Sequence, residues 1–293
     1  MPNDSLEYGS PKRILAARSL RPRRRFGQNF LIDDRFAARI ACALPDDAFA
    51  IEIGGGTGTL TAALAERCRF VTSIEIDRDL AAILRERFAD RANVAVIIAD
   101  ALTFDFCGEL ASQAPPRAVG GNLPYYLTTP LLERLLEASQ MWESAVIMVQ
   151  REYARRLAGA PGSKEFGSLS LFAGHYCTIE KLFDIGAAGL YPAPGVASSI
   201  VRLQPRADRN AGLRNEALLL WLIRAAFSHR RKMLANSVAA AIPFCDETLR
   251  HALQQALTIS GLETSARAEM LSLDHYRRLA NALDEIGFAQ PAR

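Results

Sequence analysis

Short apolar runs alternate with helical periodicity over the first half of the chain. Runs of about four to eight apolar residues between amphipathic stretches are typical of strand–helix–strand units. The pattern predicts strands over residues 48–53, 70–76, 94–98, 117–121 and 145–150. Intervening helices are predicted over residues 59–67, 80–88 and 130–138. This order favours an α/β fold in which helices cover both faces of a parallel sheet.

The pattern changes in the second half of the chain. Residues 169–203 contain extended, β-rich pieces around a proline-rich segment, which predicts an antiparallel pair at the sheet edge. After residue 205, apolar side chains recur with helical spacing at Leu218, Trp221, Leu222, Ala225 and Ala226. Further helices are predicted over residues 246–256 and 273–283. We therefore expect a small all-helical domain at the C-terminus.

Composition narrows the class of protein. The 293 residues are 49% hydrophobic and 23% charged, which suits a globular protein and excludes disorder over most of the chain. The longest apolar runs are far shorter than the ~18–20 residues of a membrane helix, so we expect no membrane partner. The five cysteines show no CxxC spacing. They are typical of reduced thiols in a cytoplasmic protein, and no metal site is expected.

Positive charge lies at the two ends of the chain. Residues 1–25 contain seven lysines and arginines against two carboxylates, and residues 206–293 are also basic, while residues 26–205 are acidic overall. Positive charge at both ends of the chain suits a polyanionic partner. A disordered, solvated tail explains the charge of residues 1–25 equally well. We predict a basic, flexible tail over 1–25, an α/β domain over 26–205 and a helical, RNA-contacting domain over 206–293.

A glycine-rich loop follows the first predicted strand, in the segment EIGGGTGTLT that starts at Glu52. Gly54, Gly56 and Gly58 allow the backbone to turn tightly and to approach a ligand. Their GxGxG spacing differs from the GxGxxG loop that cradles a dinucleotide pyrophosphate. The loop therefore favours a nucleoside ligand without phosphate, such as S-adenosylmethionine.

Two carboxylates end the next two predicted strands. Glu75 lies about 20 residues after the glycines, where an acid can accept hydrogen bonds from both ribose hydroxyls. Asp100 ends the third strand, where its carboxylate can accept a hydrogen bond from an adenine amino group. Helix capping or surface charge is the alternative for both residues, because spacing alone does not separate these roles.

The segment Asn122-Leu-Pro-Tyr follows the fourth predicted strand, at the sheet edge where doubly wound folds bind ligands. An adenine exocyclic amine is a poor nucleophile because its lone pair is delocalised into the ring. The side-chain oxygen of Asn122 and the carbonyl of Leu123 or Pro124 can accept its two hydrogens and direct the lone pair at a methyl group. Tyr125 offers a face on which an extruded base can stack. An ordinary turn is the alternative.

Several segments of the chain, taken in their order along it, resemble the KsgA/Dim-type small-subunit rRNA adenine dimethyltransferases. The segments that carry the resemblance are FGQNFL, EIGGGTGTLT, IEID, GNLPYY, YPAPGVASSIVRL, AFSHRRKMLAN and RAEMLSL, from about residue 24 to about residue 285. The resemblance implies a Rossmann-like class I SAM-dependent methyltransferase with a small all-helical C-terminal domain. It implies methylation of two adjacent adenosines in the 3′-terminal hairpin of 16S rRNA. The implied partners are small-subunit rRNA and the pre-30S particle, and we expect a monomer.

The resemblance also implies roles for single residues. The implied cofactor-binding residues are Asn29, Leu31, Gly54, Gly56, Glu75, Asp100 and Asn122. The implied catalytic residues are Asn122, Pro124 and Tyr125. RNA contacts are expected from Tyr191, Arg224, Arg230, Arg231 and Lys232. The chain departs from the family at Gly55, where a proline is usual, and at Gly195 and Ala197, which replace a lysine and an aspartate.

Other functions remain open at this point. The same scaffold carries the adenine methylation of large-subunit rRNA that confers macrolide resistance, but the RRKMLAN and RAEMLS segments favour the small subunit. A non-catalytic ribosome-assembly factor is disfavoured by the intact Asn122, Pro124 and Tyr125. A nicotinamide dehydrogenase is disfavoured by the GxGxG spacing.

Overall fold

A computed structural model gives the structure of the protein and describes residues 10–229, 232–242 and 247–288. The chain divides into two compact units, Met1–Ala154 with Thr178–Pro205 and Arg155–Cys177 with Arg206–Arg293. Residues 155–177 thus belong to the second unit, although the sequence pattern assigns them to the α/β domain. The physical reason is that Phe166 and Leu171 are buried in the helical core of the second unit.

The first unit is built on a seven-stranded sheet. Its strands, of which β1 and β8 lie outside this sheet, are β1 Phe30–Leu31, β2 Phe49–Ile53, β3 Phe70–Glu75, β4 Val94–Ile98, β5 Arg117–Asn122, β6 Ser144–Gln150, β7 Cys177–Ile185, β8 Leu190–Tyr191 and β9 Ser198–Pro205. The sheet order is β4-β3-β2-β5-β6-β9-β7, in which β2 to β6 are parallel and β9 is antiparallel to β6. Strands β1 and β8 form a separate antiparallel pair. The predicted α/β fold is confirmed, and the two β-rich pieces predicted at the sheet edge are β9 and β7.

Helices cover the sheet. They are α1 Pro11–Ala17, α2 Asp34–Cys42, α3 Thr59–Ala65, α4 Arg78–Arg87, α5 Phe106–Ala111, α6 Thr128–Glu137 and, at the unit boundary, α7 Arg151–Leu157. All five residues of β2 are buried, as expected for a parallel strand with both faces covered. On one face, Ile40 of α2 and Leu64 of α3 belong to the same buried cluster as Val146 of β6.

The structure differs from the predicted flexible tail. Residues 10–26 include helix α1 and a 3₁₀ turn at Arg24–Phe26. Ile14 and Leu15 of α1 are buried in a cluster with Leu80 and Ile83 of α4. This apolar contact orders the segment, and a count of charged residues does not reveal it. Residues 1–9 lie outside the described ranges.

The second unit is helical in the described part of the chain. Its helices are α8 Ser168–Tyr176, α9 Glu216–Phe227, α10 Leu234–Ala240, α11 Glu247–Ile259 and α12 Leu273–Glu285. Leu218 and Leu222 of α9 pack in one core with Leu257 of α11 and Leu279 of α12. The β-rich pattern predicted from residue 169 therefore begins only at Cys177, since the preceding residues form α8. No helix among the described residues is long and apolar enough to cross a membrane.

Candidate active site

A cleft opens at the carboxyl ends of the central parallel strands. Its wall includes Phe26, Gly27, Gln28, Asn29, Phe30, Gly54, Gly56, Glu75, Ile76, Asp100, Asn122, Pro124 and Tyr126. An adjoining hollow shares Phe30, Gly54, Gly56 and Asn122 with the cleft and also contains Leu31. The structure thus brings together the residues expected to bind the cofactor. A cleft at the carboxyl ends of parallel strands is where doubly wound folds bind small-molecule ligands.

The glycine loop is joined to Glu75 by a hydrogen bond. The N–H of Gly56 donates to Oε2 of Glu75 over 2.9 Å, and the N–H of Asp77 donates to Oε1 over 2.8 Å. Gly56 has φ +60°, and a Cβ there would lie 3.0 Å from a ring carbon of Phe30, so glycine is required. Burial raises the pKa of Glu75. Each carboxylate oxygen keeps a further lone pair, which can accept a ribose hydroxyl.

The residues that follow β3 and β4 supply an apolar surface and a carboxylate. Ile76 is 43% exposed although it lines the cleft, so its side chain offers an open apolar face for a flat ring. Oδ1 of Asp100 accepts a hydrogen bond of 2.9 Å from the N–H of Leu102, which fixes the carboxylate beside the cleft. The pair can hold an adenine ring by packing on its face and accepting from its amino group.

The amide of Asn122 has a defined orientation. Nδ2 of Asn122 donates to the main-chain carbonyl of Asn29 over 2.6 Å. Because the nitrogen is engaged there, Oδ1 is the atom that remains as acceptor for a ligand in the cleft. A side-chain acceptor in this position can take one hydrogen of an exocyclic amine.

The main-chain carbonyls of Leu123 and Pro124 follow Asn122 in the chain. The carbonyl of Pro124 already accepts from the N–H of Leu127 over 3.0 Å and from the hydroxyl of Thr128 over 3.1 Å. These two bonds occupy its lone pairs, and the preceding residue, Leu123, is fully buried. Pro124 instead lines the cleft and precedes the 3₁₀ turn Tyr125–Leu127. Its structural contribution is to position this turn.

Adjacent tyrosines lie in different surroundings. The hydroxyl of Tyr125 forms a hydrogen bond of 2.7 Å with the hydroxyl of Ser198, and burial raises the pKa of Tyr125. Tyr126 lines the cleft and is 57% exposed. Tyr191 pairs with Phe30 across the β1–β8 ladder and packs on the cluster around α1. Tyr126 is not among the residues predicted from the sequence. The two adjacent tyrosines in GNLPYY are the feature that points to it.

The N-terminal segment forms part of the cleft wall, and we call residues 23–30 the strap. NH1 of Arg23 donates to Oδ1 of Asp77 over 2.6 Å, and NH2 pairs with Asp79. Nε2 of Gln28 donates to Oδ2 of Asp77 over 2.9 Å, while its Oε1 accepts from the N–H of Arg23. Asp77 is 3% exposed. The sequence pattern does not reveal this anchoring role, because the partners are about 50 residues apart in the chain.

A buried acid lies beneath the glycine loop. Glu52 is fully buried, and its Oε2 accepts from the hydroxyls of Thr61 over 2.6 Å and Ser73 over 2.7 Å. Its Oε1 has no hydrogen-bond partner in the described part of the protein. Burial raises the pKa of Glu52 to about 7, against an ordinary value of 4.5. At neutral pH this carboxyl group therefore carries a proton for a large fraction of the time.

The expected RNA-binding residues of the second unit are described in part. Arg224 on α9 and Lys232 have exposed side chains. Arg230 and Arg231 lie outside the described residues. Among the described residues, no group of three or more His, Cys, Asp or Glu could hold a metal ion.

The parallel sheet, the glycine loop and the acid after the next strand define a Rossmann-like methyltransferase that uses a SAM-type methyl donor. Within that class, the chain belongs to the ribosomal RNA adenine dimethylase family, whose sequence model matches residues 19–285. Its family membership makes it an rRNA adenine dimethyltransferase. It is 38% identical over 266 residues to ribosomal RNA small subunit methyltransferase A of Hahella chejuensis, covering 88% of this chain and 92% of that one.

Another relative and two solved structures are also similar to this protein over most of the chain. The protein of the same description from Geobacillus thermodenitrificans is 34% identical over 288 residues, covering 97% of this chain and 98% of that one. The crystal structure of the 23S rRNA methyltransferase ErmE aligns with a TM-score of 0.65 and 30% identity, covering 87% of this chain and 99% of that one. A dimethyladenosine transferase from Plasmodium falciparum aligns with a TM-score of 0.72 and 21% identity, over 88% and 98%. The last of these supports the fold alone.

Proposed function

We propose that the protein transfers methyl groups from S-adenosyl-L-methionine to the exocyclic amines of two adjacent adenosines in the 3′-terminal hairpin of small-subunit rRNA. The observation that carries this proposal is the orientation of Asn122, whose Nδ2 is held by Asn29 so that Oδ1 faces a ligand as an acceptor. A fixed acceptor in the wall of the cleft is what orientation of an amine for methylation requires.

The residues of the cleft suit S-adenosylmethionine. Glu75 is placed for the ribose hydroxyls, Ile76 and Asp100 for the adenine, and the glycine loop leaves room for the methionine part. Leu31 and Gly54 lie along the adjoining hollow, where the methionine part can extend. When bound, the cofactor supplies an electrophilic methyl group on a positively charged sulfur.

The protein's contribution to the reaction is orientation. Oδ1 of Asn122 and the main-chain carbonyl of Leu123 or Pro124 accept the two hydrogens of the target amine, so its lone pair is no longer delocalised into the ring. The lone pair then points at the methyl group. The amine that forms is positively charged and loses its proton to water, so the site needs no strong base. Tyr125 and Tyr191 supply rings on which the extruded base can stack.

The proposal includes the partners. Arg224 and Lys232, which have exposed side chains, are proposed to bind rRNA phosphates together with Arg230 and Arg231. The proposed substrate form is the pre-30S particle in the cytoplasm, where two adjacent adenosines are held in one hairpin. The protein is proposed to act as a monomer.

The experiment is tritium transfer from labelled S-adenosylmethionine to small and large ribosomal subunits that lack the modification. Primer extension then maps the modified nucleosides. We expect label on two adjacent adenosines near the 3′ end of the small-subunit rRNA and none on the large subunit. Label on a large-subunit adenosine would support the activity named for ErmE instead. Absence of transfer to either subunit would exclude the proposed function.

A further inference from the structure

Tyr126 is an exposed aromatic residue in the wall of the cleft. It is 57% exposed, whereas the neighbouring Tyr125 is half-buried and bonded to Ser198. The 3₁₀ turn Tyr125–Leu127 therefore directs two rings into different surroundings. Exposed aromatic surface beside a nucleoside site gains contact when a ligand covers it.

The ring of Tyr126 packs on the strap. A Cβ at Gly27 would lie 3.0 Å from both Cδ1 and Cε1 of Tyr126 and 3.4 Å from Cβ of Pro124. Gly27 also has φ +59°, a conformation that favours glycine. Both properties allow the ring to touch the strap backbone. The strap and the Asn122–Tyr126 loop thus meet at the cleft.

The same tyrosine lies near the carboxylate expected to bind adenine. Burial raises the pKa of Tyr126, and the negative charge of Asp100 raises it further. The ring carbons lie close to Gly27, where a Cβ would have no room. Both Gly27 and Asp100 line the cleft. Tyr126 thus shares the wall of one cleft with Gly27 of the strap and with Asp100 after β4.

We propose that Tyr126 is a cofactor-retaining residue, whose ring closes the cleft between Gly27 and Asp100 over the nucleoside part of S-adenosylmethionine. This inference rests on the proposed function, because it requires that cofactor in the cleft. Dimethylation of one amine uses two cofactor molecules, so the demethylated product must leave between the two transfers. Tyr126 limits that exchange by covering the nucleoside.

The test compares Tyr126→Ala and Tyr126→Phe with the wild type. Titration calorimetry gives the affinity for S-adenosylmethionine, and stopped-flow displacement gives the dissociation rate of S-adenosylhomocysteine. We expect Tyr126→Ala to weaken cofactor binding about tenfold and to accelerate dissociation, because the ring contact is lost. Tyr126→Phe keeps the ring and is expected to bind as the wild type does. The KM for RNA is expected to stay within about twofold of the wild-type value.

Gly27→Ala tests the same contact from the strap side. The new methyl group displaces the Tyr126 ring, so cofactor affinity is expected to fall as in Tyr126→Ala. Gly212→Ala is the matched control, because Gly212 has a similar φ of +69° with nothing within 4 Å. Wild-type affinity in Tyr126→Ala, or a raised KM for RNA in place of the cofactor effect, would overturn this inference alone. A wild-type protein that does not bind S-adenosylmethionine would overturn the proposed function as well.

Discussion

Asn122 is held by Asn29, with Nδ2 of the side chain 2.6 Å from the main-chain carbonyl of the strap residue. The two residues are 93 positions apart in sequence, and their hydrogen bond joins β5 to the strap. It determines which atom of the amide faces the cleft. A side chain that only had to fill space would not need this fixed orientation.

Replacement of Asn122 by alanine is expected to separate binding from turnover. Loss of the amine acceptor should reduce kcat by about 10²–10³-fold, since a pre-oriented hydrogen-bond partner is removed from the reacting group. Cofactor affinity should stay within about threefold of wild type, because Glu75 and the glycine loop remain. Asn122→Asp is the matched variant: its second oxygen faces the Asn29 carbonyl and is repelled, so it should be equally slow. Wild-type rates in either variant would remove the orienting role.

Glu75→Ala is expected to abolish measurable cofactor binding while RNA binding persists. The substitution removes the acceptor for the ribose and also releases the N–H groups of Gly56 and Asp77. Titration calorimetry with S-adenosylmethionine and a filter-binding assay with RNA measure the two effects separately. Glu66→Ala, on the exposed end of α3, is the control and should bind normally. Unchanged affinity in Glu75→Ala would show that the ribose assignment is incorrect.

Arg23→Gln is expected to raise the KM for the cofactor about fivefold with little change in kcat. Arg23 anchors the strap to Asp77, which is nearly fully buried, so its loss leaves a buried carboxylate with fewer partners. Arg18→Gln is the matched control, because Arg18 pairs with Glu86, whose side chain is 62% exposed. Exposed pairs contribute little, so this variant should behave as wild type. Equal effects of the two variants would argue against anchoring of the strap by Arg23.

The free energy of unfolding should fall as pH rises from about 4.5 to about 7 because of Glu52. The folded form keeps its proton up to about pH 7, whereas the unfolded glutamate loses it near pH 4.5. Below that range both forms are protonated and the burial penalty is absent; above it both are ionised and the penalty is complete. The shift corresponds to about 3 kcal/mol at most.

Urea unfolding of wild type and Glu52→Gln between pH 5 and pH 8 measures this contribution. The glutamine does not ionise, so the stability difference between the two proteins should change by about 2–3 kcal/mol over that range. Glu66→Gln, which is exposed, should follow the wild-type curve. Parallel curves for wild type and Glu52→Gln would show that Glu52 keeps an ordinary pKa.

Much of the central sheet could be predicted from the sequence. Strands β2 to β6 lie where apolar runs end at glycine or at polar residues, and their order alternates with helices. The pattern was less informative after residue 168, because α8 contains Leu171, Phe172 and Tyr176 and resembles a strand in composition. Helical packing in the second unit, rather than local propensity, decides that segment.

Sequence order and local pattern by themselves determined the class of fold and which polar residues stand at strand ends, since both depend on short-range periodicity and on residue type. Tertiary structure alone decided how those residues act together. Arg23 and Asp77, or Gly27 and Tyr126, lie far apart in the chain and meet only because α1 packs on α4 and the strap crosses the cleft. Contact between distant residues depends on how the whole chain buries its apolar surface, which no local pattern records.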